Sequence, residues 1–133
     1  MATDRAPTER ELEILKILWN RGEATVRQVY EELSQELPIV QNTVQAFLRT
    51  MEEKGLVRHR VKGRTFIYAP TVEREATNRH MASQLLQRVF DGAVDQLVQS
   101  LFATQQPTAA ELNKLEALIA KVKRPKRTRK EVK

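Results

Sequence analysis

The chain predicts a mainly α protein: three N-terminal helices, then a β-hairpin, then further helices. Three observations carry that expectation. Apolar residues recur at helical spacing in three successive segments up to Met51. Two β-prone segments around a glycine-containing turn follow directly, at Leu56–Val61 and Thr65–Tyr68. Past Pro70 helical spacing resumes.

Each element has its own local reason. In residues 8–21, Thr8 and Glu11 fit a capping box, in which a hydroxyl and a carboxylate satisfy otherwise unpaired backbone donors. Leu12, Leu15, Leu18 and Trp19 then line one face, and Gly22 suits the stop. A second helix starts after Thr25, with Val26, Val29, Tyr30 and Leu33 as its apolar stripe and Pro38 beyond it. The third runs from about Gln41 to Lys54, with Val44, Phe47, Leu48 and Met51 inward and Gly55 as terminator. Its other face offers Asn42, Thr43, Gln45, Ala46 and Arg49, with few of the Glu–Lys pairs of a merely solvated helix.

The hairpin turns at Lys62-Gly63-Arg64, and Pro70 closes it. A long helix is expected from Thr71 to about Phe90, with Met81, Leu85 and Val89 on one stripe and Ala82, Leu86 and Phe90 beside it. Asp91-Gly92 breaks it. Val94, Leu97, Val98 and Leu101 mark a shorter helix, and Gln105-Gln106-Pro107 a linker. Thr108 and Glu111 repeat the capping box before a last helix with Leu112, Leu115, Leu118, Ile119 and Val122. The domains expected are 1–70, a helical region 71–123, and a basic disordered tail 124–133.

The net charge of +6 is unevenly spread. Residues 121–133 hold eight Lys or Arg and one Glu, which leaves the first 120 residues at −1. Within these, residues 41–64 carry +4 between segments of −3 and −2. A basic island in a near-neutral fold points to a docking surface for a polyanion. No stretch approaches the ~20 apolar residues of a membrane span, and no N-terminal apolar run reads as a signal peptide, so a soluble cytoplasmic protein without membrane association is expected. The absence of cysteine excludes disulfide frameworks and thiolate metal sites.

Three helices followed by a hairpin is the order of a winged helix-turn-helix, which docks its last helix in the DNA major groove. That groove is ~12 Å wide and accepts one helix. The third helix presents side chains able to hydrogen-bond base edges, and Arg58, Arg60, Lys62 and Arg64 surround the wing glycine, where they could reach phosphates. The bland alternatives are a solvated helix face and charge that protects an edge strand. The C-terminal helices carry more apolar stripe than they could bury alone, so pairing with a second copy is expected, in preference to folding back on the same chain. The residues assigned to that interface are Met81, Leu85, Val89, Phe90, Val94, Leu97, Val98, Leu101, Leu112, Leu115, Leu118 and Ile119.

Up to about residue 122 the chain resembles the penicillinase-repressor (BlaI/MecI-type) regulators. The matching stretches are Thr8–Leu15 with Trp19, Thr25–Tyr30, Asn42–Gln45 through Met51 with Lys54-Gly55-Leu56, Lys62–Pro70 and Val89–Gly92. The resemblance implies a homodimeric repressor that binds palindromic double-stranded operator DNA and blocks transcription. It also implies that Asn42, Thr43, Gln45 and Arg49 face the operator, with Arg10 and the wing on its backbone. Ala46 and Lys54 complete the expected surface. The family implies relief by a sensor protease that cuts an Asn-Phe bond in the fifth helix; here the corresponding stretch reads Gln99-Ser100-Leu101-Phe102, without that bond.

Other readings are weighed against these. Trp19 belongs to the core. His59 is read as surface or DNA-proximal, and His80 as helix surface or dimer packing. Two separated histidines make no metal site, and no cofactor is expected. The tail adds non-specific DNA affinity or is a solubilising end. A winged helix that binds protein instead of DNA is the second function class; its wing and third helix would often lack the basic residues found here. An enzyme is not expected: Ser34, Ser83 and Ser100 have no His–Asp partners, and there is no glycine-rich phosphate loop.

Overall fold

The computed structural model describes residues 6–125. Along them run α1 (Glu9–Arg21), β1 (Ala24–Thr25), α2 (Val26–Leu33), α3 (Gln41–Lys54), β2 (Val57–Lys62), β3 (Thr65–Pro70), α4 (Arg74–Phe90), α5 (Val94–Thr104) and α6 (Ala109–Lys123). Two compact units divide between Leu85 and Leu86.

Both expected capping boxes form. The Thr8 hydroxyl accepts from the Glu11 N–H at 3.2 Å, and the Glu11 carboxylate accepts from the Thr8 N–H at 3.0 Å. Thr108 and Glu111 repeat this at α6. A third box, Thr25 with Gln28, starts α2 and was not foreseen.

The core of the first unit joins Ile14, Leu15 and Leu18 of α1 to Val29 and Leu33 of α2. Val44, Leu48 and Met51 of α3 meet them, with Leu56, Val57 and Tyr68 from the hairpin. The stripe expected on α1 is corrected. Leu12 and Trp19 are only half-buried, whereas Ile14 and Ile17 are buried. The helix packs against both α2 and β3, so a wider face than one stripe is covered. Trp19 sits at the core margin, where its Nε1 donates to the Val72 carbonyl at 2.9 Å and the Arg74 guanidinium lies 5.2 Å from its ring centroid.

The sheet has three antiparallel strands in the order β1-β3-β2, one more than the hairpin expected. Strand β1 is two residues long and exists only by pairing Ala24 with Tyr68 and Thr25 with Ile67, so local sequence gives no sign of it. Lys62 pairs with Thr65, which leaves Gly63 and Arg64 as a two-residue loop. Gly63 has φ +66°, the left-handed geometry that type II′ hairpin turns require at that position. Strand β3 includes Pro70, and α4 begins at Arg74 instead of Thr71. Thr71 is used elsewhere: its N–H donates to the Leu56 carbonyl at 2.9 Å and its hydroxyl to that of Gly55.

Among the described residues, none after Thr77 is buried. Residues 126–133, most of the basic tail, lie outside the described residues. No helix among the described residues is long and apolar enough to cross a membrane.

One ion pair ties the start of α1 to the last turn of α3. Lys54 Nζ donates to Glu11 Oε1 at 2.7 Å, and Glu11 is only 3% exposed. Removing one partner of a buried charged hydrogen bond leaves the other undersatisfied. Lys54→Ala should therefore cost about 2 kcal/mol of stability, because Glu11 keeps the Thr8 N–H but loses its cation. Urea unfolding at 25 °C checks this through a lower midpoint at an unchanged slope; an unshifted midpoint would contradict it.

Candidate nucleic-acid interface

Helical periodicity gives α3 two faces. Val44, Leu48 and Met51 are fully buried, which turns Asn42, Thr43, Gln45, Ala46 and Arg49 to solvent, and all five are exposed. No side chain caps the α3 N-terminus, where the Val40 carbonyl takes the Thr43 and Val44 N–H groups.

The hairpin stands beside this face. A cleft of about 580 Å³ separates them, lined by Gln41 and Gln45 of α3, Arg64, Thr65, Phe66 and Tyr68 of the hairpin region, and Thr25, Val26 and Arg27. The structure thus brings Gln45 and Arg64 to one opening. Arg27 joins them there, exposed and 3.0 Å from Glu31. Sequence reading missed it, because an i,i+4 pair with Glu31 looks like ordinary helix surface.

Strand alternation separates the wing cations. On β2, Arg58, Arg60 and Lys62 point to one face and His59 and Val61 to the other. His59 Nδ1 donates to both carboxylate oxygens of Glu52 in α3, at 2.8 and 2.9 Å, so its face is the one toward α3. On the opposite face Arg60 meets Glu23 at 2.9 Å. A second cleft of about 500 Å³ is lined there by Arg21, Glu23, Gln28, Arg60, Lys62 and Ile67 among others. Arg64, in the loop, is the wing cation on the α3 side.

The remaining expected contacts are placed as follows. Arg10 is half-exposed and pairs with Glu13 at 2.7 Å. Lys54 is held by Glu11. Arg49, Arg58, Lys62 and Arg64 form no ion pair with any described residue. Among the residues assigned to pairing, Leu85, Val89, Val94, Val98, Leu101, Leu112, Leu115, Leu118 and Ile119 are exposed in the single chain, with Ile119 at 59%. Met81, Phe90 and Leu97 are half-buried. No group of three metal-ligating side chains occurs among the described residues.

Electrostatics follow the geometry. The hydrogen bond from Arg60 holds the Glu23 carboxyl below the usual carboxylate range against the opposing effect of desolvation, with the charges of Arg60, Lys62 and Arg58 adding to the lowering. The same bond raises Arg60. Burial pushes the Tyr68 phenol up, and the Glu52 charge pushes it further.

Three helices with a hairpin packed beside the third, and a short strand completing the sheet, define a winged helix-turn-helix protein. Its particular kind follows from comparison. Residues 7–121 match the penicillinase repressor family, and the chain belongs to that family. It is 25% identical over 120 residues to the penicillinase repressor of Bacillus licheniformis, covering 90% of this chain and 94% of that one. The solution structure of the DNA-binding domain of the repressor BlaI is similar at 28% identity and a TM-score of 0.50, over 56% of this chain and 90% of that chain. A MarR variant from E. coli, solved in complex with operator DNA, shares the fold at 19% identity and a TM-score of 0.53, over 92% of this chain and 80% of that one.

The lowered Glu23 carboxyl gives a test of the wing's far face. A carboxylate lowered on folding favours the folded pair above its unfolded value, and that contribution is lost as pH falls through the lower folded value. A carboxyl-carbon NMR titration should find Glu23 titrating below the usual glutamate range, and Arg60→Ala should return it there. A Glu23 midpoint insensitive to Arg60→Ala would contradict the pairing.

Proposed function

We propose that the protein is a homodimeric transcriptional repressor. Each copy inserts α3 into a major groove of a palindromic operator, and the bound dimer blocks transcription. The observation that carries this is the exposed face of α3, where side chains with base-edge hydrogen-bonding capacity stand opposite fully buried Val44, Leu48 and Met51. Asn42 and Gln45 have the amide geometry for adenine, Arg49 the fork for guanine, and Ala46 and the Thr43 methyl suit the thymine methyl. Arg10, Arg58, Lys62 and Arg64 serve the phosphate backbone. Of the expected backbone contacts, Arg10, Arg60 and Lys54 reach phosphate only by exchanging their carboxylate partners, Glu13, Glu23 and Glu11. Membership of a family named for repression supports the same reading.

Pairing rests on the second unit. With α5 and α6 burying no residue, the apolar side chains Leu101, Leu112, Leu118 and Ile119 stand in water unless a second copy covers them. So many exposed apolar side chains on two neighbouring helices support an interface reading. Two copies then offer two α3 helices to half-sites about one helical turn apart. Release by a sensor protease would require a bond other than Asn-Phe, which this sequence lacks.

Mobility-shift titration against the DNA upstream of the protein's own reading frame tests the proposal. Arg49→Ala should weaken specific binding about tenfold or more while leaving random-sequence binding nearly unchanged. Ile119→Asp should yield single chains in sedimentation and lose operator affinity. Full-length protein that sediments as one chain and ignores the duplex would overturn the reading, as would an Arg49→Ala variant of undiminished affinity.

A further inference from the structure

The outer half of the hairpin reaches past the core: Val61 is 58% and Phe66 44% exposed, and no core side chain lies beyond Val57 on β2 or Tyr68 on β3. Beyond Ile67, where the pairing with β1 ends, the hairpin is a two-stranded ribbon with little rigidity of its own in water. On one side β1, which ends opposite Ile67, and the Arg60–Glu23 pair brace the hairpin; on the face toward α3 a single cluster does so. Glu52, in the last turns of α3, receives Nδ1–H of His59 on both carboxylate oxygens, at 2.8 and 2.9 Å. An ionised carboxylate only accepts, so Nδ1 carries the proton. One face of the His59 ring lies flat on Phe66, with centroids 4.0 Å apart and planes 12° from parallel, and Tyr68 closes the group at 5.5 Å. Phe66 in turn lines the cleft that holds Gln45 and Arg64. Glu52 belongs to α3, His59 to β2 and Phe66 to β3, so the cluster crosses from the third helix through both wing strands.

We propose that His59 is a positioning residue for DNA binding. Held by Glu52 at the ring edge and by Phe66 on a ring face, it fixes the wing against α3, so that Arg64 and the α3 face meet one duplex together. The inference rests on the DNA-binding reading and assigns a role to a side chain that touches no DNA itself. Without the clamp the wing keeps its cations but must be ordered at the moment of binding, which offsets the contact Arg64 makes.

Fluorescence anisotropy of full-length protein on operator duplex, measured across salt concentrations, separates the possibilities. Arg64→Ala should weaken binding several-fold and reduce the slope of log affinity against log salt by about one, as loss of one phosphate contact does. His59→Ala should do the same although every cation remains. The double variant should bind no more weakly than either single one, because both changes remove the same contact. Phe66→Ala breaks the stack from an exposed position and should reproduce the effect with the thermal melt little changed, so the test survives if His59→Ala folds poorly. An unchanged salt slope in the His59 and Phe66 variants, or losses that multiply in the double variant, would overturn the proposal. Should Arg49→Ala and Arg64→Ala also leave binding untouched, the DNA reading itself falls and this inference with it; should they weaken binding while the His59 and Phe66 variants do not, only the clamp is refuted.

Discussion

Burial of Val44, Leu48 and Met51 in the core shared with α2 and β2 sets the rotation of α3 about its own axis, and the rest of the site depends on that rotation. A helix has no freedom to hide one face without showing the other. Once those three side chains are in the core, Asn42, Gln45 and Arg49 must face water. The glutamate of the first capping box adds an anchor at the far end, where it grips Lys54. The recognition surface is thus held by packing along its length and, at its C-terminus, by one ion pair to the buried Glu11.

Charge is arranged in the same economical way. The described part of the chain pairs many of its cations internally: Arg10 with Glu13, Arg21 with Glu32, Arg27 with Glu31, Lys54 with Glu11 and Arg60 with Glu23. Arg49 on α3 and Arg58, Lys62 and Arg64 on the wing stand outside these pairs. The local excess seen between residues 41 and 64 therefore becomes a directed field only after folding, when neighbouring carboxylates neutralise part of it. Alternation along β2 then divides the wing between a face that addresses α3 and a face that addresses Glu23.

Much of this was legible in the sequence. The third helix was delimited at both ends, because its apolar spacing is regular and Gly55, at φ +84°, is a strong terminator. The hairpin and its glycine turn were equally plain. Features created by tertiary pairing were not. Strand β1 exists only because the edge of β3 needs a partner, and Thr25 serves both that strand and the cap of α2. The start of α4 was read three residues early, since Thr71 is diverted to the Gly55 and Leu56 carbonyls. The partners of Lys54 and Arg60, 43 and 37 residues away, leave no local trace, so both read as available cations. The open apolar faces of α5 and α6 were visible as stripes in the sequence, and the fold leaves them uncovered in the single chain.

The central claim is that the solvent side of α3 and the wing loop form one duplex-binding surface. Backbone amide chemical shifts, followed as operator duplex is added to the full-length protein, address it residue by residue. The account predicts the largest changes at Asn42, Thr43, Gln45, Ala46 and Arg49 together with Gly63 and Arg64, and little at Leu112–Ile119. Changes concentrated on the C-terminal helices, or a spectrum indifferent to the duplex, would contradict it.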